Sequence, residues 1–269
     1  MIQSIFKEKV VVITGASSGI GRELAYQLAA QSAWLSLAAR TTERLEQVRT
    51  ACEARGGKAI AISTDVSEQN QCAALIRQTV EHYSRLDMLV NNAGRTMVAK
   101  FEDIRDPGLF EKLMRVNYLG SVYCTYYALP YLKQTQGRII GVSSLTGKTG
   151  VPTRSGYAAS KHAMAGFFDS LRIEVAQHNI SVTMIYPGFV ATVVREEAFG
   201  EDGQTVGRST VRESEVMPVE QCAQIILRAA AQRRREVVMT LRGKIGMWLK
   251  LLAPGLVDRI ARQAIRTGR

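Results

Sequence analysis

Short, almost continuous apolar runs recur along the chain, separated by amphipathic stretches. Val10–Thr14 has the length of a buried strand, and Gly19–Gln31 after it has helical periodicity. Further strands are predicted at Trp34–Ala39, Lys58–Thr64, Met88–Asn91, Arg138–Ser143, Ser181–Tyr186 and Glu236–Thr240, with another helix at Glu43–Arg55. Strands that are apolar on both faces and alternate with helices indicate a parallel sheet covered on both sides. We therefore predict an α/β fold, a doubly wound parallel sheet of about seven strands with helices on both faces.

The spacing of these elements indicates one domain. A sequence of 269 residues with 46% hydrophobic residues is ordinary for a globular α/β domain, and no Pro/Ser-rich linker interrupts it. We predict one domain over residues 1–241 and a basic, amphipathic tail over residues 242–269. Residues 189–217 follow the sixth strand, are rich in glycine and have weak periodicity, which is typical of a substrate loop at the carboxyl edge of the sheet.

Positive charge is concentrated at the C-terminal end. The net charge is +11, and the residues from Arg242 onward include seven Lys/Arg and one Asp. The domain itself is therefore only mildly basic. Because this charge is not spread over a face with interleaved aromatic residues, we do not expect nucleic-acid binding.

The sequence also bears on metals, redox state and location. The four cysteines are scattered and the three histidines lack metal-ligand spacing, so we expect packed, reduced thiols and no metal. No apolar run reaches the roughly 18–20 residues of a membrane-spanning helix. Strand-like sequence begins at Val10, which leaves no room for a signal peptide. We expect a cytoplasmic protein.

A glycine-rich turn joins the first strand to the first helix. Its sequence, Thr14-Gly15-Ala16-Ser17-Ser18-Gly19-Ile20-Gly21, has the spacing G-x-x-x-G-x-G. Glycines allow a sharp turn and close approach of the backbone, and the N-terminus of the helix offers free N–H groups to a pyrophosphate. A plain tight turn is the alternative. Its position between the first strand and the first helix favours a dinucleotide site of the Rossmann type.

The end of the second strand indicates which dinucleotide binds. An NAD enzyme usually carries an acid there for the ribose 2′-hydroxyl, whereas an NADP enzyme carries an arginine for the 2′-phosphate. Here Ala39 is followed by Arg40 and two threonines, without a carboxylate. Arg40 can form charge-assisted hydrogen bonds to the phosphate, so we predict NADP(H) rather than NAD. A solvated surface arginine is the alternative interpretation.

Tyr157 and Lys161 are four residues apart in a helical stretch and share one face of it. The ordinary pKa of tyrosine, about 10, is too high for proton exchange near neutrality, and a neighbouring ammonium favours the phenolate. Such a pair alone is more often an ordinary helix face. However, Ser143 and Ser144 end a predicted strand thirteen residues before Tyr157, at the edge where ligands bind.

Taken together, these motifs resemble the short-chain dehydrogenase/reductase family, most closely its hydroxysteroid dehydrogenase-like branch. The resemblance covers about residues 9–240, and its motifs stand in the family's order. These are Thr14–Gly21, Asp65-Val66, Asn91-Asn92-Ala93-Gly94, Asn117, Ser144, Tyr157 with Lys161, and Pro187-Gly188. Residues 1–241 would then form a single dinucleotide-binding catalytic domain.

The resemblance implies a role for each catalytic residue. Tyr157 would be the general acid/base toward the carbonyl oxygen, and Ser144 would hydrogen-bond that oxygen. Lys161 would lower the pKa of Tyr157 and hold the nicotinamide ribose, and Asn117 would anchor a water that passes protons through Lys161. Ser143 competes with Ser144 for its role, and the spacing to Tyr157 favours Ser144.

The resemblance also completes the predicted cofactor site. Asp65 and Val66 would meet the adenine, Asn92, Ala93 and Gly94 would line the adenosine side, and the chain after Pro187 would contact the nicotinamide amide. The full predicted set is Gly15, Ser17, Ser18, Gly19, Ile20, Gly21, Arg40, Asp65, Val66, Asn92, Ala93, Gly94, Tyr157, Lys161, Pro187, Gly188, Val190 and Thr192.

We therefore predict an NADP(H)-dependent oxidoreductase that interconverts a carbonyl and an alcohol, with an apolar aldehyde or ketone as the small-molecule substrate. The alternative is a non-catalytic NADP(H)-binding regulatory protein of the same fold, which would have no need of Tyr157 and Lys161 together.

We also predict a homodimer or homotetramer. The helical stretch Gly108–Tyr131 and the one that begins at Tyr157 are rich in apolar residues, and the resemblance implies that these helices often form a dimer face. The aromatic residues available are Tyr118, Tyr123, Tyr126, Tyr127, Phe167 and Phe168. The alternative is that they all point into the sheet.

The tail contains two apolar stripes separated by Pro254-Gly255. Ile245, Trp248, Leu249 and Leu252 form the first, and Leu256, Ile260 and Ala264 form the second. We favour packing, either as a subunit contact or as a roof over the substrate pocket made by Met247, Trp248, Leu249, Leu251 and Leu252. Peripheral membrane contact through a basic amphipathic helix and simple disorder are the alternatives.

Overall fold

The computed structural model describes residues 5–192, 197–207 and 216–266, with side chains as far as Gln263. Parts of the predicted substrate loop, the last residues of the tail and the side chain of Ala264 lie outside these ranges. The strands are β1 (Val10–Thr14), β2 (Trp34–Ala39), β3 (Lys58–Ser63), β4 (Met88–Asn91), β5 (Arg138–Val142), β6 (Ser181–Tyr186) and β7 (Glu236–Val238). The α-helices are α1 (Gly19–Ala29), α2 (Thr42–Glu53), α3 (Gln69–Tyr83), α4 (Gly108–Met114), α5 (Gly120–Thr135), α6 (Ser155–Glu174), α7 (Val219–Ala231), α8 (Leu241–Leu252) and α9 (Pro254–Arg266).

The seven strands form one parallel sheet in the order β3-β2-β1-β4-β5-β6-β7. The predicted doubly wound, Rossmann-type sheet is thereby confirmed. The chain runs outward from β1 to β3, returns to β4 beside β1, and then runs outward in the other direction. The carboxyl ends of β1 and β4 consequently flank the crevice in which ligands bind in sheets of this kind.

Alternate residues of the strands enter two cores, one on each face of the sheet. Val11 and Ile13 pack with the apolar sides of α1, α2 and α7, whereas Val10 and Val12 pack with those of α3, α5 and α6. This accounts for strands whose apolar residues point to both faces, because both faces of the sheet are covered. The four cysteines are buried, as the sequence predicts, and none of them forms a disulfide.

Helices α5 and α6 do not expose all of the aromatic residues predicted for an outer face. Tyr126 is 69% exposed and Ile173 on α6 is 78% exposed, but Phe168 is fully buried against the sheet. Phe168 was therefore wrongly predicted to lie on the outer face. It packs against Gly141 of β5, whose missing side chain leaves room for the aromatic ring.

The tail is helical, and Pro254 separates its two helices as predicted. The predicted pocket roof is wrong for three of its five residues, because Trp248, Leu251 and Leu252 are 70%, 75% and 83% exposed. Met247 does pack against the core. Among the described residues, no helix is both long and apolar enough to cross a bilayer, and no cluster of His, Cys, Asp or Glu could hold a metal ion.

Candidate active site

The glycine-rich turn wraps tightly around the start of α1. Gly15 has φ +66°, a left-handed conformation that favours glycine. A Cβ on Gly21 would lie 2.2 Å from the carbonyl oxygen of Gly15, so the close approach requires a residue without a side chain. Ser18 precedes the helix in an extended conformation, and its side chain makes no capping hydrogen bond. The first N–H groups of α1, those of Gly19 and Ile20, are thus available to an anion.

Asn92 connects this turn to the end of β4. Its side-chain amide donates to the carbonyl oxygens of Thr14 and Gly15 at 2.9 and 3.3 Å. The Thr14 hydroxyl accepts from the backbone N–H groups of Asn92 and Ala93, both at 3.0 Å. The sequence predicts Asn92 as a cofactor contact, and the structure places its side chain in support of the turn beside the crevice.

The predicted adenosine side lies at the carboxyl ends of β2 and β3. Arg40 is exposed at the end of β2. Asp65 follows β3, and its carboxylate accepts from the backbone N–H and the hydroxyl of Ser67 at 2.9 and 2.7 Å. Val66 is buried against Gly120. The structure therefore brings Arg40, Asp65 and Val66 to one edge of the sheet.

Tyr157 lies in the first turn of α6, facing the loop after β5. The side chains of Ser144 and Thr146 lie close to its hydroxyl. Burial raises the pKa of Tyr157 above its usual value, while these two polar side chains and the positive charge of Arg154 oppose that shift. Thr146 and Arg154 were missed from the sequence. The position of Arg154, three residues before Tyr157 at the start of a helix, was a signal that could have identified it.

The two neighbouring serines have different partners. The Ser143 hydroxyl is buried and donates to the carbonyl oxygen of Lys161 at 3.4 Å. Ser144 begins a short 3₁₀ turn, and its hydroxyl accepts from the backbone N–H of Thr146 at 3.2 Å while also contacting Tyr157. This arrangement favours Ser144 as the residue that shares a substrate oxygen with Tyr157.

Lys161 is buried beneath the tyrosine. Its ammonium donates to the carbonyl oxygen of Val142 at 2.9 Å and lies 5.9 Å from the centroid of the Tyr157 ring. Burial lowers the pKa of Lys161 from 10.5 to about 8, because desolvation disfavours the charged form. A lysine with this pKa exchanges protons readily near neutral pH.

Asn117 lies in a π-helical turn, Arg115–Leu119, between α4 and α5. Its amide donates to the carbonyl oxygen of Arg95 at 2.9 Å and to the hydroxyl of Ser160 at 2.8 Å, and its oxygen accepts from the Arg95 N–H at 2.8 Å. Ser160 in turn donates to the carbonyl oxygen of Tyr157. Asn117 is therefore connected to the backbone of the catalytic helix, and π turns are frequent at functional sites.

Arg95 is a further residue missed from the sequence. Its guanidinium lies 4.4 Å from the centroid of the Phe199 ring and donates to Thr205, both in the predicted substrate loop. Burial and the nearby charge of Arg40 lower the pKa of Arg95, whereas Glu197 raises it. Arg40 and Arg95 thus add positive charge to the same region.

The chain after β6 completes the edge. The Pro187 carbonyl accepts from the N–H of Leu145 at 3.0 Å, which brings Gly188 beside the Ser144 turn. Val190 forms a parallel bridge with Met217. Thr192 reaches the glycine-rich turn, because a Cβ on Gly19 would lie 3.1 Å from its methyl carbon. The structure thereby brings the predicted residues from β1, β4, β5 and β6 to one crevice.

The crevice fits a nicotinamide dinucleotide. A Cβ on Gly94 would lie 3.0 Å from the Asn117 oxygen and 3.4 Å from the Lys161 ammonium, so this glycine keeps the floor beside the catalytic residues open. At the other end, the start of α1 offers N–H groups to a pyrophosphate. A doubly wound sheet with this cradle, and with a partly buried Tyr157 and a buried Lys161 beside it, defines a nicotinamide-dependent oxidoreductase.

Comparisons with known proteins agree. The family model for short chain dehydrogenases matches residues 9–202. The chain is 35% identical to 11-beta-hydroxysteroid dehydrogenase 1A of Arabidopsis thaliana, covering 100% of this chain and 80% of that one. It is 35% identical to dehydrogenase/reductase SDR family protein 7-like of Dictyostelium discoideum, covering 95% and 81%. An alcohol dehydrogenase from the archaeon Thermococcus sibiricus, complexed with 5-hydroxy-NADP, has a similar structure, with a TM-score of 0.71, 25% identity and coverage of 81% and 88%. The chain belongs to the short-chain dehydrogenase family, near its hydroxysteroid dehydrogenase-like members.

Proposed function

We propose that this oxidoreductase uses NADP(H) to interconvert an apolar aldehyde or ketone and the corresponding alcohol, with Tyr157 as the general acid/base. The observation that carries the proposal is that Ser144 lies beside the Tyr157 hydroxyl, with the buried Lys161 ammonium 5.9 Å from the centroid of the Tyr157 ring. Relatives named hydroxysteroid dehydrogenases support an apolar substrate. These relatives also favour an enzyme over the alternative of a non-catalytic NADP(H)-binding regulator.

The residues divide the chemistry between them. The cofactor supplies the hydride when bound. Tyr157 donates its phenolic proton to the carbonyl oxygen during reduction, and Ser144 donates a hydrogen bond to the same oxygen. Lys161, with a pKa of about 8, is mostly protonated at neutral pH and restores the proton to Tyr157. Asn117 holds the N-terminal turn of α6 in register through Ser160.

The charges at the end of β2 support NADP(H) rather than NAD. No carboxylate lies between Ala38 and Thr42, and Arg40 is exposed where the 2′-phosphate of an adenosine ribose would lie. Arg95 adds positive charge nearby: burial lowers the pKa of Arg95, and the charge of Arg40 lowers it further. A solved alcohol dehydrogenase of similar structure is complexed with 5-hydroxy-NADP, which supports NADP(H) as the cofactor here.

Replacing Tyr157 by Phe tests the proposal. The ring and its packing are retained and the proton donor is lost, so kcat for NADPH-dependent reduction of apolar ketones should fall by about 10²–10⁴. NADPH affinity, measured by calorimetry, should stay within about twofold. Tyr126→Phe, which removes the same hydroxyl from an exposed position on α5, is the matched control. Undiminished turnover by Tyr157→Phe would contradict the assignment, and NADPH binding without turnover of any carbonyl would favour the regulatory alternative.

A further inference from the structure

Helix α8 exposes its apolar stripe. Leu241, Ile245, Trp248 and Leu252 follow the spacing i, i+4, i+7, i+11, which places them within about 60° of one another around the helix axis. All four are exposed. An amphipathic helix on a globular domain normally turns such a stripe toward the core, so α8 has the opposite orientation.

Contacts on the other side of α8 fix this orientation. The Thr240 hydroxyl caps the helix by accepting from the N–H of Gly243 at 3.1 Å. A Cβ on Gly243 would lie 2.6 Å from Leu145, so the first turn lies directly against the body. Met247 packs on the core, and the Lys250 ammonium donates to the Lys148 carbonyl at 2.8 Å. The helix is therefore docked through Gly243, Met247 and Lys250, and its apolar stripe faces away from the body.

Helix α9 enlarges the same apolar area. It packs against α8, and its residues Leu256, Arg259, Ile260 and Arg262 are all exposed. Among the described residues, eleven large hydrophobic side chains are exposed, and seven of them lie between Leu241 and Ile260. We call this area the tail surface. Apolar exposure that is concentrated in one part of a protein in this way is typical of an interaction site.

The charge of the tail identifies its partner. Residues from Arg242 onward include seven Lys/Arg and one Asp. A twofold contact between two copies would place this surface against itself, so the excess positive charge of one copy would face that of the other. An anionic lipid surface offers both an apolar interior for Trp248 and the leucines and negative head groups for Lys244, Arg259 and Arg262.

We propose that the tail surface docks on an anionic phospholipid bilayer, with the apolar stripe of α8 inserted at the interface. The first turn of α8 contacts Leu145, the residue after Ser144, so docking would hold the crevice close to the membrane surface. A lipophilic substrate could then pass from the bilayer to the site. The docking itself stands independently of the proposed reaction.

Sedimentation of the full chain with vesicles tests this proposal. Phosphatidylcholine vesicles containing about 30% phosphatidylglycerol should bind at least tenfold more protein than pure phosphatidylcholine vesicles, because anionic head groups attract the basic residues. Raising the salt concentration from about 0.05 M to about 0.5 M should remove most of this difference, since screening weakens that attraction. Equal or absent binding to the two vesicle types at low salt would overturn the proposal.

Two matched substitutions locate the contact. Trp248→Asp should reduce binding to the anionic vesicles at least tenfold, whereas Phe101→Asp, at a similarly exposed aromatic residue away from the tail, should leave it unchanged. Both variants should keep NADPH affinity, which separates this test from that of the proposed reaction. Equal loss in both variants would overturn the assignment of the surface. Self-association that Trp248→Asp abolishes, without vesicle binding, would identify a second copy as the partner instead.

The fluorescence of Trp248 can be used to detect insertion of the stripe into a membrane. Its two tryptophans are Trp34 and Trp248, and Trp34 is partly buried against Tyr83. The Trp34→Phe variant therefore leaves Trp248 as the source of tryptophan emission. Anionic vesicles should shift this emission to shorter wavelengths as the indole leaves water. An unchanged spectrum at saturating vesicle concentration would show that the stripe does not insert.

Discussion

The buried Lys161 should make the cofactor-free protein less stable than it would be with an apolar residue in the same place. Its ammonium is nearly inaccessible to solvent and has the carbonyl oxygen of Val142 as a hydrogen-bond acceptor. Methionine has similar length, carries no charge and adapts its shape readily. We therefore expect Lys161→Met to abolish catalysis and yet to raise the free energy of unfolding at neutral pH.

The size of the effect follows from the pKa and the lost hydrogen bond. A fall of the Lys161 pKa from 10.5 to about 8 corresponds to a cost of about 3 kcal/mol for holding the charged form in the folded protein. Losing the hydrogen bond to Val142 costs about 1 kcal/mol. The substitution should therefore stabilise the protein by about 2 kcal/mol at pH 7, or about 4–8 °C in Tm for a chain of this size.

The pH dependence has a definite sign. Between pH 8 and pH 10.5 the unfolded chain binds a proton at Lys161 that the folded protein does not, so stability rises with pH in this window. The cost of the buried charge is fully present below pH 8 and is lost above pH 10.5. The advantage of Lys161→Met should shrink across this window and reverse to a loss of about 1 kcal/mol at its upper end, where the missing hydrogen bond remains.

Urea unfolding followed by circular dichroism at several pH values measures these differences. Lys133→Met removes the same charge from an exposed position on α5 and should change stability by less than about 0.5 kcal/mol at every pH. Lower stability of Lys161→Met than of the original protein at pH 7, or a gain that does not vary between pH 8 and pH 10.5, would refute the reasoning.

Two further predictions concern the cofactor and assembly. NADPH should bind at least tenfold tighter than NADH, by about 1.4 kcal/mol or more, and Arg40→Asp should erase most of this difference; equal dissociation constants for the two cofactors in the original protein would contradict it. The chain should form a homodimer or homotetramer through α5 and α6, where Tyr126 and Ile173 are exposed, and light scattering at micromolar concentration should give a multiple of the 29.6 kDa chain mass. A mass of one chain would count against this interface, and Ile173→Asp should dissociate the oligomer if the prediction is right.

The fold was accessible from the sequence because each strand is a short, mainly apolar run and is followed by glycine or polar residues. The ends of the strands and helices were harder to predict than the fold. The last strand was predicted to reach Thr240 but ends at Val238, because Thr240 serves as the cap of α8. A threonine suits both a strand and a helix cap, and only its contact with Gly243 distinguishes them.

For the tail, the sequence predicted the helices but not the orientation of α8. Periodicity correctly indicates two helices separated by Pro254, since it depends on positions along one chain. It does not indicate which face meets the body. That choice depends on Gly243 fitting against Leu145 and on Lys250 reaching Lys148, contacts across about 100 residues of sequence. The apolar stripe was therefore assigned to a pocket roof, whereas these two contacts turn it outward.

The same reasoning explains why Arg95 was missed although its neighbour Gly94 was identified. Gly94 belongs to a motif with fixed spacing, while the role of Arg95 arises from partners distant in sequence. Asn117 forms hydrogen bonds with the backbone N–H and the backbone carbonyl of Arg95. The Arg95 guanidinium lies over the Phe199 ring and donates to Thr205. Arg95 thus connects the π turn that carries Asn117 to the predicted substrate loop, residues 189–217. If the loop moved, Arg95 would move with it, and the two hydrogen bonds between the Arg95 backbone and Asn117 would transmit the shift to Asn117. No sequence motif indicates this connection.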